Sequence, residues 1–186
     1  MDPELYRIAA DACQAVYKDN TDLGTTEFKV SFTVLGDEFV QVLAIAGTNE
    51  PADWLHNFNL FSIKGIKKPA YDAAQEINAT IKKVDGYKLL VCGHSKAGPT
   101  AIAYKRLFGA DYCVAFAPAR GLRYWADRRM ENTTILIDPD DPVSKAGFLS
   151  FGHPVCHIIQ APDDHFGLSV SDHFMKGWVE FVEKIA

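Results

Sequence analysis

No uninterrupted apolar run in this chain approaches the ~18 residues that a bilayer-spanning helix needs. The first residues, Met1-Asp-Pro-Glu-Leu5, are acidic and carry no apolar stretch, so they do not read as a secretory leader and the expectation is a cytoplasmic protein. Positive charge is in deficit, with 19 Lys and Arg against 24 Asp and Glu and a net charge of −5. The two signs are interspersed and no basic stripe forms, which argues against nucleic acid as a partner. Cysteine is sparse: the four residues Cys13, Cys92, Cys113 and Cys156 form no C-x-x-C pair and show no zinc-ligand spacing. Cys92 and Cys113 lie inside apolar runs and read as buried thiols of a reducing compartment. No H-E-x-x-H motif is present, so no metal is expected and no cofactor is implied. Internal repeats, low-complexity tracts and interdomain linkers are also missing. What remains is a chain of 186 residues, 48% of them hydrophobic, which suits one globular domain over 1–186.

The apolar pattern then sets out the elements. Leu5, Ile8, Ala9, Ala12, Cys13, Val16 and Tyr17 recur at helical spacing, which predicts an amphipathic helix over 4–18. Phe28, Val30, Phe32 and Val34 share one face of a strand over 28–35. After the turn signal Gly36-Asp37 a second, more buried strand runs over 39–46, and the two read as a hairpin. Residues 55–68 have no clean period and read as a loop or flap. Pro69 opens a helix reaching to Val84, a strand covers 87–92, and a helix over 97–108 is closed by Gly109. Strands follow at 112–117, 132–138 and 155–160, and a final helix at 172–185 buries Phe174, Trp178, Phe181, Val182 and Ile185. Strands alternating with helices predict a mostly parallel sheet covered on both faces, with the hairpin as an antiparallel margin.

One turn stands out for chemistry. The apolar strand runs directly into Gly93-His94-Ser95-Lys96-Ala97-Gly98 and then a helix, the context that a nucleophile elbow requires. Residues two before and two after the serine must be small, so that helix and strand can approach. Gly93 satisfies this, while Ala97 departs from G-x-S-x-G by one methyl. Such a turn lifts the Ser95 hydroxyl above the sheet and lets the Lys96 peptide N–H donate to a developing oxyanion. A phosphate-binding or purely structural strand–Gly–helix turn is the bland alternative.

Four segments in order resemble the class 3 lipases, the family of fungal triacylglycerol lipases. Ala46-Gly47-Thr48-Asn49 through Asp53-Trp54 and Asn57 is similar to the family's R-G-T…D-W…N, with Ala46 where arginine is usual. Gly93 to Gly98 is similar to G-H-S-L-G-G. Phe116-Ala117-Pro118-Ala119-Arg120-Gly121 is similar to F-G-x-P-R-x-G, and Asp141-Pro142-Val143 to the D-x-V-P turn. The resemblance implies an α/β-hydrolase fold, a mostly parallel central sheet with helices on both faces, and a Ser-His-Asp triad. It implies Thr48 as an oxyanion-hole residue beside the Lys96 N–H, with Asp53 and Trp54 as scaffold residues and Arg120 as structural.

A serine needs a base, and in such folds the partners follow in the order serine, acid, histidine. Asp138, Asp140 and Asp141 all lie just past the strand over 132–138. The family pattern selects Asp141, and Asp138, nearest the strand end, is the alternate. His94 is locked in the elbow, His153 precedes the last strand, and His157 sits within it. His165 and His173 remain. His173, at the start of the last helix, is preferred, with His165 as alternate.

The resemblance implies a carboxylic ester as substrate: an acylglycerol, a phospholipid or a smaller ester. The segment 55–66 stands where family members carry a lid, and its apolar residues would line an acyl chain or simply pack. Lys96, where the family favours leucine, would attract an anionic group or merely be exposed. A thioesterase or amidase on the same fold, and an inactive hydrolase-like binding protein, are the rival readings. Oligomeric state is not legible.

Overall fold

The computed structural model describes residues 2–19, 27–47, 62–123, 127–138, 141, 151–161 and 175–185. The chain opens with helix α1 (Pro3–Asp19), followed by the hairpin strands β1 (Phe28–Leu35) and β2 (Glu38–Ile45). Short strands β3 (Ser62–Ile63) and β4 (Ile66–Lys67) lead into helix α2 (Lys68–Thr80) and strand β5 (Lys88–His94). Helix α3 (Ala97–Phe108), β6 (Tyr112–Phe116), β7 (Leu122–Arg123) and β8 (Arg129–Ile137) follow. Strands β9 (Phe151–Gly152) and β10 (Val155–Gln160) and helix α4 (Met175–Ile185) complete the described elements.

The strands make two sheets. The larger has the order β1-β2-β5-β6-β8-β10, in which β1 pairs antiparallel with β2 and every other neighbour is parallel. The smaller, β3-β4-β7-β9, is antiparallel throughout. The predicted parallel sheet with its antiparallel margin is therefore present.

Period-two alternation in the central strands divides the core between the two faces. Val40, Val42, Leu90, Cys92, Val114, Phe116 and Leu136 pack with α1 and α4. Leu43, Ile45, Leu89, Val91, Cys113, Ala115 and Ile135 pack with α2 and α3. Near-continuous burial along β5 and β6 is what a parallel strand covered on both faces requires. Cys13, Cys92 and Cys113 are buried free thiols, and Cys156 is half-buried. The neighbouring Cys13 thiol and burial hold the Cys92 thiol's pKa well above the ordinary thiol value.

Three expectations from the pattern need correction. The helix opened by Pro69 stops at Thr80, and Val84 is exposed rather than inward. The cause is Gln41 of β2: its amide donates to Lys82 O at 3.1 Å and accepts from Val84 N at 2.9 Å, drawing the chain out beside the sheet. On the face of β1 that Phe28, Val30, Phe32 and Val34 share, Phe28 and Val30 pack against the core, while Phe32 and Val34 are 56% and 51% exposed. Part of the expected flap is regular: β3 and β4 form a tight ribbon around Lys64 and Gly65, both at positive φ. The remainder of that segment, 55–61, lies outside the described residues. In α4, Trp178, Phe181 and Val182 are buried as expected, while Ile185, in the last turn, is exposed.

Candidate active site

Between β5 and α3 the backbone turns sharply at Ser95, which has φ of 57°. A non-glycine residue in the left-handed region costs roughly 1–2 kcal/mol. The conformation is held by neighbours on both sides. Ser95 N–H donates to Phe116 O at 2.9 Å, and Ser95 O accepts from Gly98 N at 3.1 Å.

The small residues around the turn have distinct tasks. A Cβ added at Gly93 would lie 2.7 Å from the Ala97 carbonyl oxygen and 2.8 Å from its carbonyl carbon. Position 93 therefore admits only glycine, because backbone crosses backbone there. The same approach explains why Ala97 is tolerated. Its methyl would meet a residue-93 Cβ at 3.2 Å, and glycine has none. Gly98 is required for a second crossing, since a Cβ there would lie 2.5 Å from Pro118 Cβ and 2.9 Å from its Cα. The segment from Phe116 to Gly121 thus packs against the first turn of the elbow helix.

A line of hydrogen bonds runs along the carboxyl edge of the sheet. After Ser95 N to Phe116 O come Ala117 N to Leu136 O at 2.7 Å and Ala161 N to Ile137 O at 3.0 Å. These tie the ends of β5, β6, β8 and β10 together. Asp138 and Asp141 lie just past β8, joined by Asp141 N to Asp138 O at 3.2 Å, and each is only 7% exposed. Both aspartates are thus buried at the edge that holds Ser95, two strands away. Open α/β sheets place their sites in the crevice outside the carboxyl ends of the strands.

Gly47, which leads into Thr48, lies against the elbow. A Cβ added there would sit 2.8 Å from His94 O and 3.6 Å from Ser95 Cβ. The connection is made by a residue the pattern treated as ordinary core, Tyr17 in the last turn of α1. Its hydroxyl accepts Gly47 N–H at 3.1 Å and lies 2.9 Å from His94 Nδ1. Burial and the nearby Cys13 push the phenol's pKa above its ordinary value, against the pull of the Gly47 N–H. Tyr17 therefore keeps its proton and can donate it to Nδ1. The helical apolar spacing of α1 marks Tyr17 as inward-facing, but nothing in it marks a polar partner.

Lys96 is exposed and caps α3 at its N-terminus, with no acidic residue in the first turn. Thr48, His165 and His173 lie outside the described residues, as do Asp53, Trp54, Asn57 and Asp140. His94 is engaged by Tyr17, in keeping with its expected exclusion as base. His157 on β10 lies 3.4 Å from the Tyr6 hydroxyl, which is itself 3.4 Å from Thr134 Oγ1. His153 and His157 share an i, i+4 spacing, but it falls across the β9–β10 connection rather than along a helix. Among the described residues no group of three or more His, Cys, Asp or Glu side chains is placed to hold a metal ion, and no helix is long and apolar enough to cross a membrane.

No protein-family model and no curated protein sequence matches the chain. The solved structures that the chain matches include two lipases. One is a fungal lipase from an inhibitor complex bearing on interfacial activation, 14% identical with a TM-score of 0.50, over 81% of this chain and 76% of that one. The other is a triacylglycerol lipase from Penicillium expansum, 15% identical with a TM-score of 0.47, over 87% of this chain and 82% of that one. At such identity the likeness speaks for architecture alone. With its mostly parallel six-stranded sheet, helices on both faces and a strand–Ser95–helix elbow, the chain has the α/β-hydrolase fold, and a fungal lipase shares it.

Proposed function

We propose that the protein is a serine hydrolase of carboxylic esters, with Ser95 as nucleophile, Asp141 as acid and His173 as base. The observation that carries this is the Ser95 backbone at φ of 57°, strained and held at the carboxyl edge of the sheet. Strain of this kind persists only where surrounding structure over-determines it, and it clusters at working sites. In this reading His173 takes the proton as Ser95 Oγ attacks the ester carbonyl carbon. The oxyanion is received by the N–H groups of Lys96 and Thr48. The C–O bond to the alcohol then breaks, and the imidazolium returns the proton to the leaving alkoxide. Water, deprotonated by the same histidine, releases the acid and restores Ser95. Asp141 orients the ring and stabilises its cation. Asp138 and His165 are the alternates for acid and base. The class 3 lipase resemblance supports a lipid or smaller ester as substrate, and no metal or cofactor enters the scheme. A thioesterase or amidase would use the same machinery on a different leaving group.

A fluorophosphonate probe tests the reading directly. Wild type should be labelled, and Ser95→Ala should not. Folded, monodisperse wild type that resists the probe would overturn the assignment and favour a binding protein. Turnover by His173→Ala and His165→Ala then separates the two candidate bases: the true one should lose about 10³-fold or more.

A further inference from the structure

The small sheet, β3-β4-β7-β9, does more than close one side of the molecule. Gly121, just before β7, packs on Pro99 in the first turn of α3, where an added Cβ would lie 2.8 Å from Pro99 Cβ. Gly121 O in turn accepts Lys67 N–H at 2.8 Å. Lys67, the last residue of β4, is thereby carried to the end of α3 that bears Ser95 and Lys96. Its ammonium lies 6.0 Å from the ring of Phe151 in β9, over which the Arg123 guanidinium also stacks at 4.3 Å.

This arrangement is electrostatically unfavourable as it stands. Lys67 is half-buried, whereas a lysine stem ordinarily carries its head out to water. Burial, and then the charge of Lys96, hold its pKa below the ordinary lysine value. Lys96 is placed against its own preference too, since a cation at a helix N-terminus opposes the macrodipole. Among the described residues neither ammonium has an ion-pair partner. In a protein with a net charge of −5, two cations are brought to the N-terminal end of α3, and neither is paired with an acid among the described residues.

We infer that Lys67 and Lys96 form the recognition site for an anionic group, a carboxylate or a phosphate, carried by the substrate next to the scissile ester. The inference rests on the hydrolase reading above and names the class of ester. Lys96 supplies both ends of the geometry. Its backbone N–H points to the oxyanion position in that reading, and its side chain leaves from the same residue, so the anion belongs within one lysine side chain's reach of the reacting carbonyl. An anion there relieves the repulsion between the two ammoniums and complements the α3 N-terminus. A local positive field on an acidic protein also draws in a substrate that the rest of the surface repels.

The test compares p-nitrophenyl butyrate with two anionic counterparts, p-nitrophenyl hemisuccinate and p-nitrophenyl 3-phosphonopropionate, at low ionic strength. Wild type should favour at least one anionic ester by about tenfold in kcat/KM, and which one identifies the group. The ratio of anionic to neutral turnover should fall to near one in Lys67→Met, invert in Lys67→Glu and survive in Lys67→Arg. A merely structural role would lower all three rates together and leave the ratio alone. A wild-type ratio near one for both anions, or a ratio untouched by Lys67→Glu, overturns the inference while leaving the hydrolase reading intact. If no ester is turned over, the hydrolase reading fails and the site is tested by itself. Succinate or methylphosphonate should then protect Lys67 and Lys96 from an amine-acylating reagent, read by peptide mass against a chloride control. Absence of protection overturns the site.

Discussion

At the carboxyl edge of the large sheet, backbone meets backbone. Gly47, Gly93 and Gly98 leave no room for even a methyl group, Ser95 is held at positive φ, and hydrogen bonds link four strand ends in turn. The amino edge is built on other terms. Gly36, Gly86 and Gly109 sit in turns where an added Cβ would meet nothing within 4 Å, so only their positive φ calls for glycine. Side chains there are held by solvent-facing contacts: Phe32 and Phe39 lean on Tyr87 at 5.4 and 5.5 Å, and Tyr112 donates to Glu38 at 2.8 Å. The same strands thus end in a margin where backbones crowd on one side and an open one on the other, although Asn132, in the first half of β8, is also at positive φ. The asymmetry marks the edge where position has to be held tightly.

Four substitutions would break or sharpen this contrast. Gly93→Ala should have the largest effect. Its methyl collides with the Ala97 backbone rather than with a side chain that could swing away, so about 3 kcal/mol of stability should be lost, measurable by urea denaturation. The matching change at the amino edge, Gly86→Ala, meets no atom and should cost only about 1 kcal/mol for its backbone conformation. Equal losses at the two sites would dissolve the distinction.

Tyr17→Phe comes next. It leaves the Gly47 N–H and His94 Nδ1 without the hydroxyl that joins them, a loss of about 1–3 kcal/mol. Because that hydroxyl ties the chain entering Thr48 to the elbow, kcat should fall by about tenfold while KM moves little. Unchanged turnover with lowered stability would reduce Tyr17 to a core residue.

Asp111→Asn probes the open edge and should have a small effect, about 1 kcal/mol as for Gly86→Ala, with no change in fluorophosphonate labelling. Asp111 accepts Leu89 N–H at 2.8 Å and faces Lys83 at 2.7 Å and Lys88 at 3.6 Å. Burial works to raise its pKa, and the Leu89 N–H with the two ammoniums outweighs it, so the carboxyl titrates below the usual range. A depressed folded-state pKa contributes stability that is present above the unfolded value of about 3.9 and is lost as pH falls through the folded one. Wild type should therefore lose stability below about pH 4 more steeply than Asp111→Asn. Parallel acid limbs in the two proteins would remove Asp111 from the account.

The sequence and the structure agree where the signal is local. The elbow was legible because strand, small residues, serine and helix follow one another within a dozen positions, and the parallel sheet because β5 and β6 are near-continuous apolar runs between helical patterns. Strands β7 and β9 were not legible, since two residues cannot show a period. The early end of α2 was hidden because Gln41, some forty positions away in sequence, overrides an apolar pattern that continues to Val84. The polar surroundings of Tyr17 and Lys67 were hidden for the same reason. Each meets its neighbours only in the fold, Gly47 and His94 for one and Gly121 and Phe151 for the other. Asp138 and Asp141 are equally buried and bonded to each other, so the choice between them still rests on the D-x-V resemblance. For Thr48, His165 and His173 the sequence remains the whole of the argument.

The backbone at Ser95 bears on how such a chain changes over time. Of all residues, glycine fits a φ of 57° best, so relief of the strain at this position and loss of the hydroxyl are a single mutational step. A demand for stability alone would favour that step, and in the hydrolase reading proposed above only the use of the hydroxyl opposes it.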